Sequence, residues 1–476
     1  MTRASIAAVL AVGVASWSTA AAQPPQPQPE QRGAGAADEM QRAFAAQVGV
    51  AGGLTASRVA AAALRHSPTL AARRQDEAIA ASELRGTRLE FLPRASLGGR
   101  YTRLSSTPDT VIEVPVPPAP LSVTFPGALE NQWSFGAEVS VPLSDYVLRL
   151  GRAVATRRHS LRAAEWMSVA EKRRAAAEAR LAYYDWARAR LGTLVAERAL
   201  AQAIEHRRLA ERRVAAASAT RADLLSAESR VGEGEDLVTR ARLDASLAER
   251  RLRVLMGDAG AAPLSIGEDV LAPLPARSSE ASAGPTDRLI AEAVAGRAEL
   301  RALGENDGAL AARSALESAR FVPRLDLVGN LARENPSARA FPQADEFATV
   351  WDVSAVLSWA LDDLPRAREK RRELAARRRQ VDDRRRELVD GVVLEVTRAA
   401  QEVRAAEQSV GTRRRTLAAA EEGHRVRMRL FEVGSASSTE LGDAETDLTR
   451  ARFGVIDAHI ALRKALVALD LALGRH

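Results

Sequence analysis

The chain has 476 residues, 46% of them hydrophobic and only 4% aromatic, with no cysteine. That length has room for roughly two to four ordinary domains, and the missing thiols exclude a disulfide framework and a lipid-bearing cysteine. The net charge is +7 and the pI near 10.3. Basic stretches such as RRELAARRRQVDDRRREL (371–388) interleave acids at helical spacing. This is the pattern of a solvated helix face with i,i+4 pairs, and nucleic acid is not an expected partner.

The N-terminus reads as an export signal. Arg3 precedes an apolar run from Ala4 to Trp17, and Ala20 and Ala22 fit a small-residue cleavage site, so residues 1–22 form a signal peptide. The run is shorter than the ~20 residues needed to span a membrane. Residues 23–52 are rich in Pro, Gln, Gly and Ala and are expected to be poorly ordered.

The rest of the chain is written twice. FLPRASLGGRYTR (91–103) matches FVPRLDLVGNLAR (321–333), the segment from Trp133 matches WDVSAVLSWALDD (351–363), and RVAAASATRADLLSAES (213–229) matches LFEVGSASSTELGDAET (430–446). The offsets are 230, 218 and 217 residues, so the first copy carries about twelve extra residues between its two strands, where a surface loop tolerates insertion.

The first repeat, 53–257, predicts a helix over Thr55–Glu90, strands at 94–104 and 132–142, a helix over 145–216, a break at ASATRAD and a helix over 222–256. A Pro/Gly/Ser-rich linker, 258–287, follows. The second repeat, 288–476, predicts a helix over 288–320, strands at 324–333 and 349–360, a helix over 364–432, a break at VGSASS and a helix over 438–473. A 70-residue helix is about 100 Å long, and two shorter helices stacked end to end beside it make a matched coiled-coil rod.

All four strands alternate. Trp133, Phe135, Ala137, Val139 and Val141 fall on one side of their strand. So do Ala95, Leu97, Gly99 and Tyr101, then Leu325, Leu327, Gly329 and Leu331, then Trp351, Val353, Ala355, Leu357 and Trp359. Each is about as long as a tilted membrane strand, and no further strand-forming segment is expected to cover the apolar faces. Trp133, Trp351, Trp359 and Tyr101 are candidates for an interfacial aromatic belt. Four strands cannot close a barrel and an open edge is not tolerated in lipid, so several chains must join: two would supply eight strands, three would supply twelve.

This order, the LP and VP strand entries and the break motif FEVGSASSTEL with its degenerate copy resemble TolC-like outer-membrane channels of efflux and type I secretion systems, over about 54–473. The resemblance implies a mainly α chain with membrane β structure: a homotrimer with a twelve-stranded barrel in outer-membrane lipid and a long helical tunnel in the periplasm. It also implies a periplasmic adaptor and an inner-membrane transporter as partners, and passive conduction. Aligned on Gly434, Glu440 and Asp443 stand at the acidic ring that narrows the periplasmic entrance, and Asp223 matches an acid that ties the coils shut. The sequence departs from the family where Ala436 replaces an arginine, Phe431 a tyrosine, and Ala217 the glycine of the first break.

Read without the resemblance, Glu440 and Asp443 share one helix face near its N-terminus, where carboxylates also cap the helix and favour its dipole. The six histidines are scattered and no P-loop or dinucleotide motif occurs, so no enzyme activity, metal or cofactor is expected. The alternatives are a periplasmic adaptor, which carries one helical hairpin flanked by β-rich domains, and a structural coiled-coil protein.

Overall fold

The structure is a computed structural model describing residues 42–125, 127–274, 284–340 and 343–475; the signal peptide and linker residues 275–283 lie outside them. The helices are α1 (Ala56–His66), α2 (Pro68–Leu89), α3 (Leu143–Leu148), α4 (Leu150–Ala215), α5 (Arg221–Met256), α6 (Thr286–Gly296), α7 (Ala298–Ser318), α8 (Asp363–Glu432) and α9 (Ser438–Ala472). The strands are β1 (Arg94–Arg103), β2 (Thr110–Val114), β3 (Leu121–Phe125), β4 (Asn131–Val141), β5 (Arg324–Asn335) and β6 (Ala348–Ser358).

Three expected single helices are each divided; the stretch 145–216 breaks at Arg149, where a φ of −119° separates α3 from α4. Thr55–Glu90 splits at Ser67, whose hydroxyl accepts from the Leu70 N–H while Pro68 occupies the first helical position. That combination starts a helix and ends the one before it. The stretch 288–320 splits at Arg297, held in extended backbone and pinned by its guanidinium to the Ala472 carbonyl and to Glu395. Residues 42–47 are helical and Val48 is buried, so the end of the low-complexity segment belongs to the fold.

α4 and α8 have 66 and 70 residues, about 100 Å each. Ties to α7 mark the strand-proximal half of α4: His159 Nδ1 lies 2.7 Å from Glu305, and Arg152 donates to the Ala315 carbonyl. Ties to α9 mark its distal half, with Arg188 to Asp457 at 2.6 Å and Lys464 to Asp185 at 2.6 Å. The short helices thus succeed one another along the long ones. The largest core cluster lies at mid-length, where Tyr183, Trp186, Leu191, Leu252, Ile456 and Ile460 pack with Val59, Ile266 and Val270. The linker enters it through a bridge between Leu54 and Ile266, and Arg463 donates to the Val270, Asp269 and Ala272 carbonyls.

At one end of the helices the chain forms a four-stranded antiparallel sheet in the order β1-β4-β5-β6. The central pair, β4 with β5, joins the two copies. Its register aligns Ala137 with Leu331, Leu97 pairs with Ala137, and Leu331 pairs with Trp351. Every apolar row therefore lies on one face, with Leu97, Phe135, Leu331, Trp351 and Leu357 exposed. Ser134, Glu138, Ser140, Asp326, Asn330, Asp352 and Ser354 line the other face. Pro142 alone separates β4 from α3, and the buried Asp145 beyond it receives Arg149 and Arg324 at 3.7 and 3.9 Å. Four residues join β6 to α8.

The twelve-residue insertion is not strandless. β2 and β3 form a separate two-stranded hairpin between β1 and β4, at the end of the sheet away from the helices. The expectation that only four strands exist is corrected by this element. Its Pro-rich connection, VPVPPAP, masks two short β segments that pair through the backbone.

Candidate functional site

The far end of the molecule holds both helix breaks, and they are built alike. α4 ends at Ala215; the Ala217 N–H donates to the Val214 carbonyl at 3.0 Å and the Ser218 N–H to Arg213 at 2.8 Å. α8 ends at Glu432; the Gly434 N–H donates to Phe431 at 3.1 Å and the Ser435 N–H to Leu430 at 2.8 Å. Both are left-handed closures, with φ of +52° at Ala217 and +82° at Gly434. The next helix then starts in a reciprocal capping box, Thr220 with Asp223 and Ser437 with Glu440.

The non-glycine closure carries strain that a glycine does not. Ala217→Gly is expected to raise the stability of the purified protein by about 0.5–1 kcal/mol, whereas Gly434→Ala costs more than about 1 kcal/mol. A Cβ on Gly434 would also meet Arg213 Nη2 at 3.0 Å. Chemical denaturation of both variants measures this, and equal effects at the two positions would contradict it.

Asp223 does more than cap. Its Oδ2 accepts from the Thr220 hydroxyl and N–H at 2.7 and 3.0 Å, while Oδ1 accepts from the Ser438 N–H at 3.1 Å, so one carboxylate joins the two breaks. The Thr220 hydroxyl, then the Thr220 and Ser438 backbone donors, hold its pKa below the usual carboxylate range. Arg213 makes the second tie, donating to the Phe431 carbonyl at 2.7 Å and to Ser218 at 2.6 Å with its guanidinium 4.7 Å from the centre of the Phe431 ring. Phe431 is fully buried among Ala210, Ala227, Ala436 and Leu441.

Glu440 and Asp443 are both exposed and both ion-paired within the chain. Glu440 accepts from the Ser437 N–H at 2.9 Å and from Arg427 at 2.7 Å, and the Ser437 donors, more than Arg427, lower its pKa. Asp443 accepts from Arg230 at 2.9 Å. Asp223, Phe431, Gly434 and Glu440 thus meet around the paired breaks, with Asp443 three residues farther along α9. Tyr101, Trp133, Trp351 and Trp359 are all exposed, at the other end of the molecule. The Tyr101 and Trp133 rings pack with centres 4.4 Å apart.

Behind the breaks lies a buried polar group absent from the sequence expectations. His206 on α4 has its Nδ1 3.1 Å from Glu445 and its Nε2 3.0 Å from the Ser438 hydroxyl, both on α9, and its ring meets Phe431 edge-on at 5.1 Å. Arg213, Arg230 and Arg427 were also invisible as ties. Among so many arginines only tertiary contact distinguishes them, and the internal offset of 217 matches Arg213 to Leu430 and His206 to Gly423.

The described helices include none long and apolar enough to cross a membrane. A one-faced apolar sheet feeding two 100 Å helices defines the TolC-like class of outer-membrane channel. The sequence matches the outer membrane efflux protein family over residues 59–258 and 289–475, and the chain belongs to that family. Its place is the outer membrane, and family membership sets aside the adaptor and structural coiled-coil alternatives. Among solved structures, the outer-membrane channel OprN is 20% identical, with a TM-score of 0.71 over 88% of this chain and 90% of that one. VceC from Vibrio cholerae is 16% identical, with a TM-score of 0.70 over 88% and 96%. The open state of the Neisseria gonorrhoeae MtrE channel is also 16% identical, with a TM-score of 0.70 over 88% and 89%. No curated protein sequence matches.

Proposed function

We propose that this chain is the outer-membrane exit duct of a tripartite efflux pump or type I secretion system. The carrying observation is the sheet: four strands with one continuous apolar face and two open edges, β1 and β6, running into the helices through a single proline and a four-residue link. Open edges in lipid demand neighbouring copies. Three would supply twelve strands, and their polar faces would surround a lumen continuous with a helical tunnel. Conduction through it is passive. Energy and substrate choice come from an inner-membrane transporter, coupled through a periplasmic adaptor at the helix breaks. Tyr101, Trp133, Trp351 and Trp359 sit against lipid in this arrangement. The test is fractionation: a heat-sensitive oligomer in detergent extracts of the outer membrane is expected, and recovery as a soluble periplasmic monomer would overturn the assignment.

At the breaks, Glu440 and Asp443 line the entrance, six carboxylates around the axis of a trimer. Their partners Arg427 and Arg230 supply as many positive charges. The double variant Glu440→Ala, Asp443→Ala releases those arginines and is expected to shift the permeability ratio in planar bilayers by at least about threefold toward anions and to weaken block by divalent cations. Unchanged selectivity would remove both carboxylates from the conduction path.

A further inference from the structure

We infer that the β2–β3 hairpin is an exit closure, packing its apolar face against the same face of neighbouring copies over the mouth of the barrel. This rests on the multi-chain barrel proposed above. In the hairpin, Ile112 pairs with Val123 and Val114 with Leu121, so these four apolar side chains share one face, while Val111, Glu113, Ser122 and Thr124 share the other. The four are 49%, 36%, 41% and 59% exposed in the order Ile112, Val123, Val114, Leu121. A two-stranded hairpin of five-residue strands is marginal in water by itself, and this one keeps its apolar face uncovered within the chain.

Lipid is not the expected cover. The lipid-facing rows end near the Tyr101–Trp133 pair, and a polar neck separates them from the hairpin. In that neck Arg103 pairs with Glu130 at 3.0 Å, the Thr107 hydroxyl accepts from the Ala128 N–H at 2.9 Å, and Asp109 accepts from the Gly127 N–H at 2.8 Å. A Cβ on Gly127 would lie 2.1 Å from the Thr107 carbonyl oxygen, so the two arms approach as closely as glycine permits. The hairpin is thus carried past the aromatic rim on a braced stalk.

The neighbour's hairpin is the surface that must be there. The stalk leaves β1, an edge strand, where the next copy has to join. Twelve strands about 4.8 Å apart and tilted about 40° enclose a barrel of roughly 12 Å radius. The eleven residues from Leu104 to Val114 span up to about 36 Å extended, ample to reach the axis from the rim. Only the first copy carries the insertion, so each chain contributes one hairpin, and cyclic symmetry brings like faces into a ring.

The absence of native cysteine makes the test direct. Leu121→Cys, purified as the heat-sensitive oligomer from outer membrane and oxidised with copper-phenanthroline, is expected to yield a covalent dimer on non-reducing denaturing gels. Its bilayer conductance should fall by at least about twofold and recover with a thiol reductant. Glu113→Cys, on the opposite face, should stay uncrosslinked. Replacing residues 110–125 by a short Gly-Ser loop should raise conductance by about half or more. An intact oligomer in which Leu121→Cys does not crosslink, crosslinks no better than Glu113→Cys, or in which the deletion leaves conductance unchanged would overturn the closure and leave the channel reading standing. Failure to form any oligomer would overturn both.

Discussion

Replacing Phe431 by alanine is expected to cost about 3–5 kcal/mol, the range for a fully buried phenylalanine, and to unfasten the two helix breaks from each other. The ring fills the space among Ala210, Ala227, Ala436 and Leu441, and three of these four buried neighbours are alanines with no reach into the void. It also gives the Arg213 guanidinium an aromatic face and His206 an edge-on neighbour. Without it, Arg213 keeps its bond to the residue 431 carbonyl but loses the surface that positions it. Calorimetric melting should show an early transition confined to the distal coil, and single-channel recordings should show longer openings. Phe431→Leu, which keeps most of the volume, should cost less than half as much. Equal losses for the two variants would mean that volume is not what Phe431 supplies.

Acidification from pH 7 to 4 is expected to weaken the coil through His459, and His459→Gln should remove that part of the pH dependence. His459 is buried on α9, and its Nε2 lies 3.2 Å from Arg414 Nη2. Arg414 can only donate, so Nε2 accepts and the ring is neutral. Burial, then the positive charges of Arg414 and Arg463, push its pKa from 6.5 down to about 4. The sign follows from proton uptake: the unfolded chain binds a proton at 6.5, whereas the folded chain resists until about 4. Stability present above pH 6.5 is therefore lost as pH falls through that window, and the loss levels off below it. Its size is about 2 kcal/mol after allowance for screening by solvent. Thermal midpoints of the wild type and His459→Gln between pH 7 and 4 measure it, and parallel curves would assign the acid lability elsewhere. His424, pushed below its ordinary value chiefly by burial near Arg452 and His206, contributes in the same direction.

How far the fold could be read from the chain differs element by element. The alternation at 94–103, 131–141, 324–335 and 348–358 placed every apolar row correctly, with strand limits within two residues. The break at Gly434 was clear because a glycine followed by Ser and an acid three residues later is a local signature, and its degenerate copy at Ala217 was found through the repeat. The hairpin in the insertion was hidden by its prolines, and the divisions at Ser67 and Arg297 by the continuous Ala/Leu pattern around them. The expected tie to Asp223 illustrates the limit at the site. Ala436 stands where the resemblance implied an arginine, yet Arg213, from the opposite break, supplies a guanidinium between the same two loops.

The sequence by itself determined the one-sided strands and both capped breaks, since each depends on residues within a turn or a strand of one another, and the duplication followed from comparing the two halves of the chain. Only the tertiary structure decided that β4 pairs with β5 across the two copies, and that Asp223 reaches Ser438 while His206 reaches Glu445. It also decided that Glu440 and Asp443 are answered by Arg427 and Arg230 of the same chain. Periodicity states which way a side chain faces. It carries no information about which of many arginines, mostly some two hundred residues away, will stand opposite once two long helical hairpins have packed.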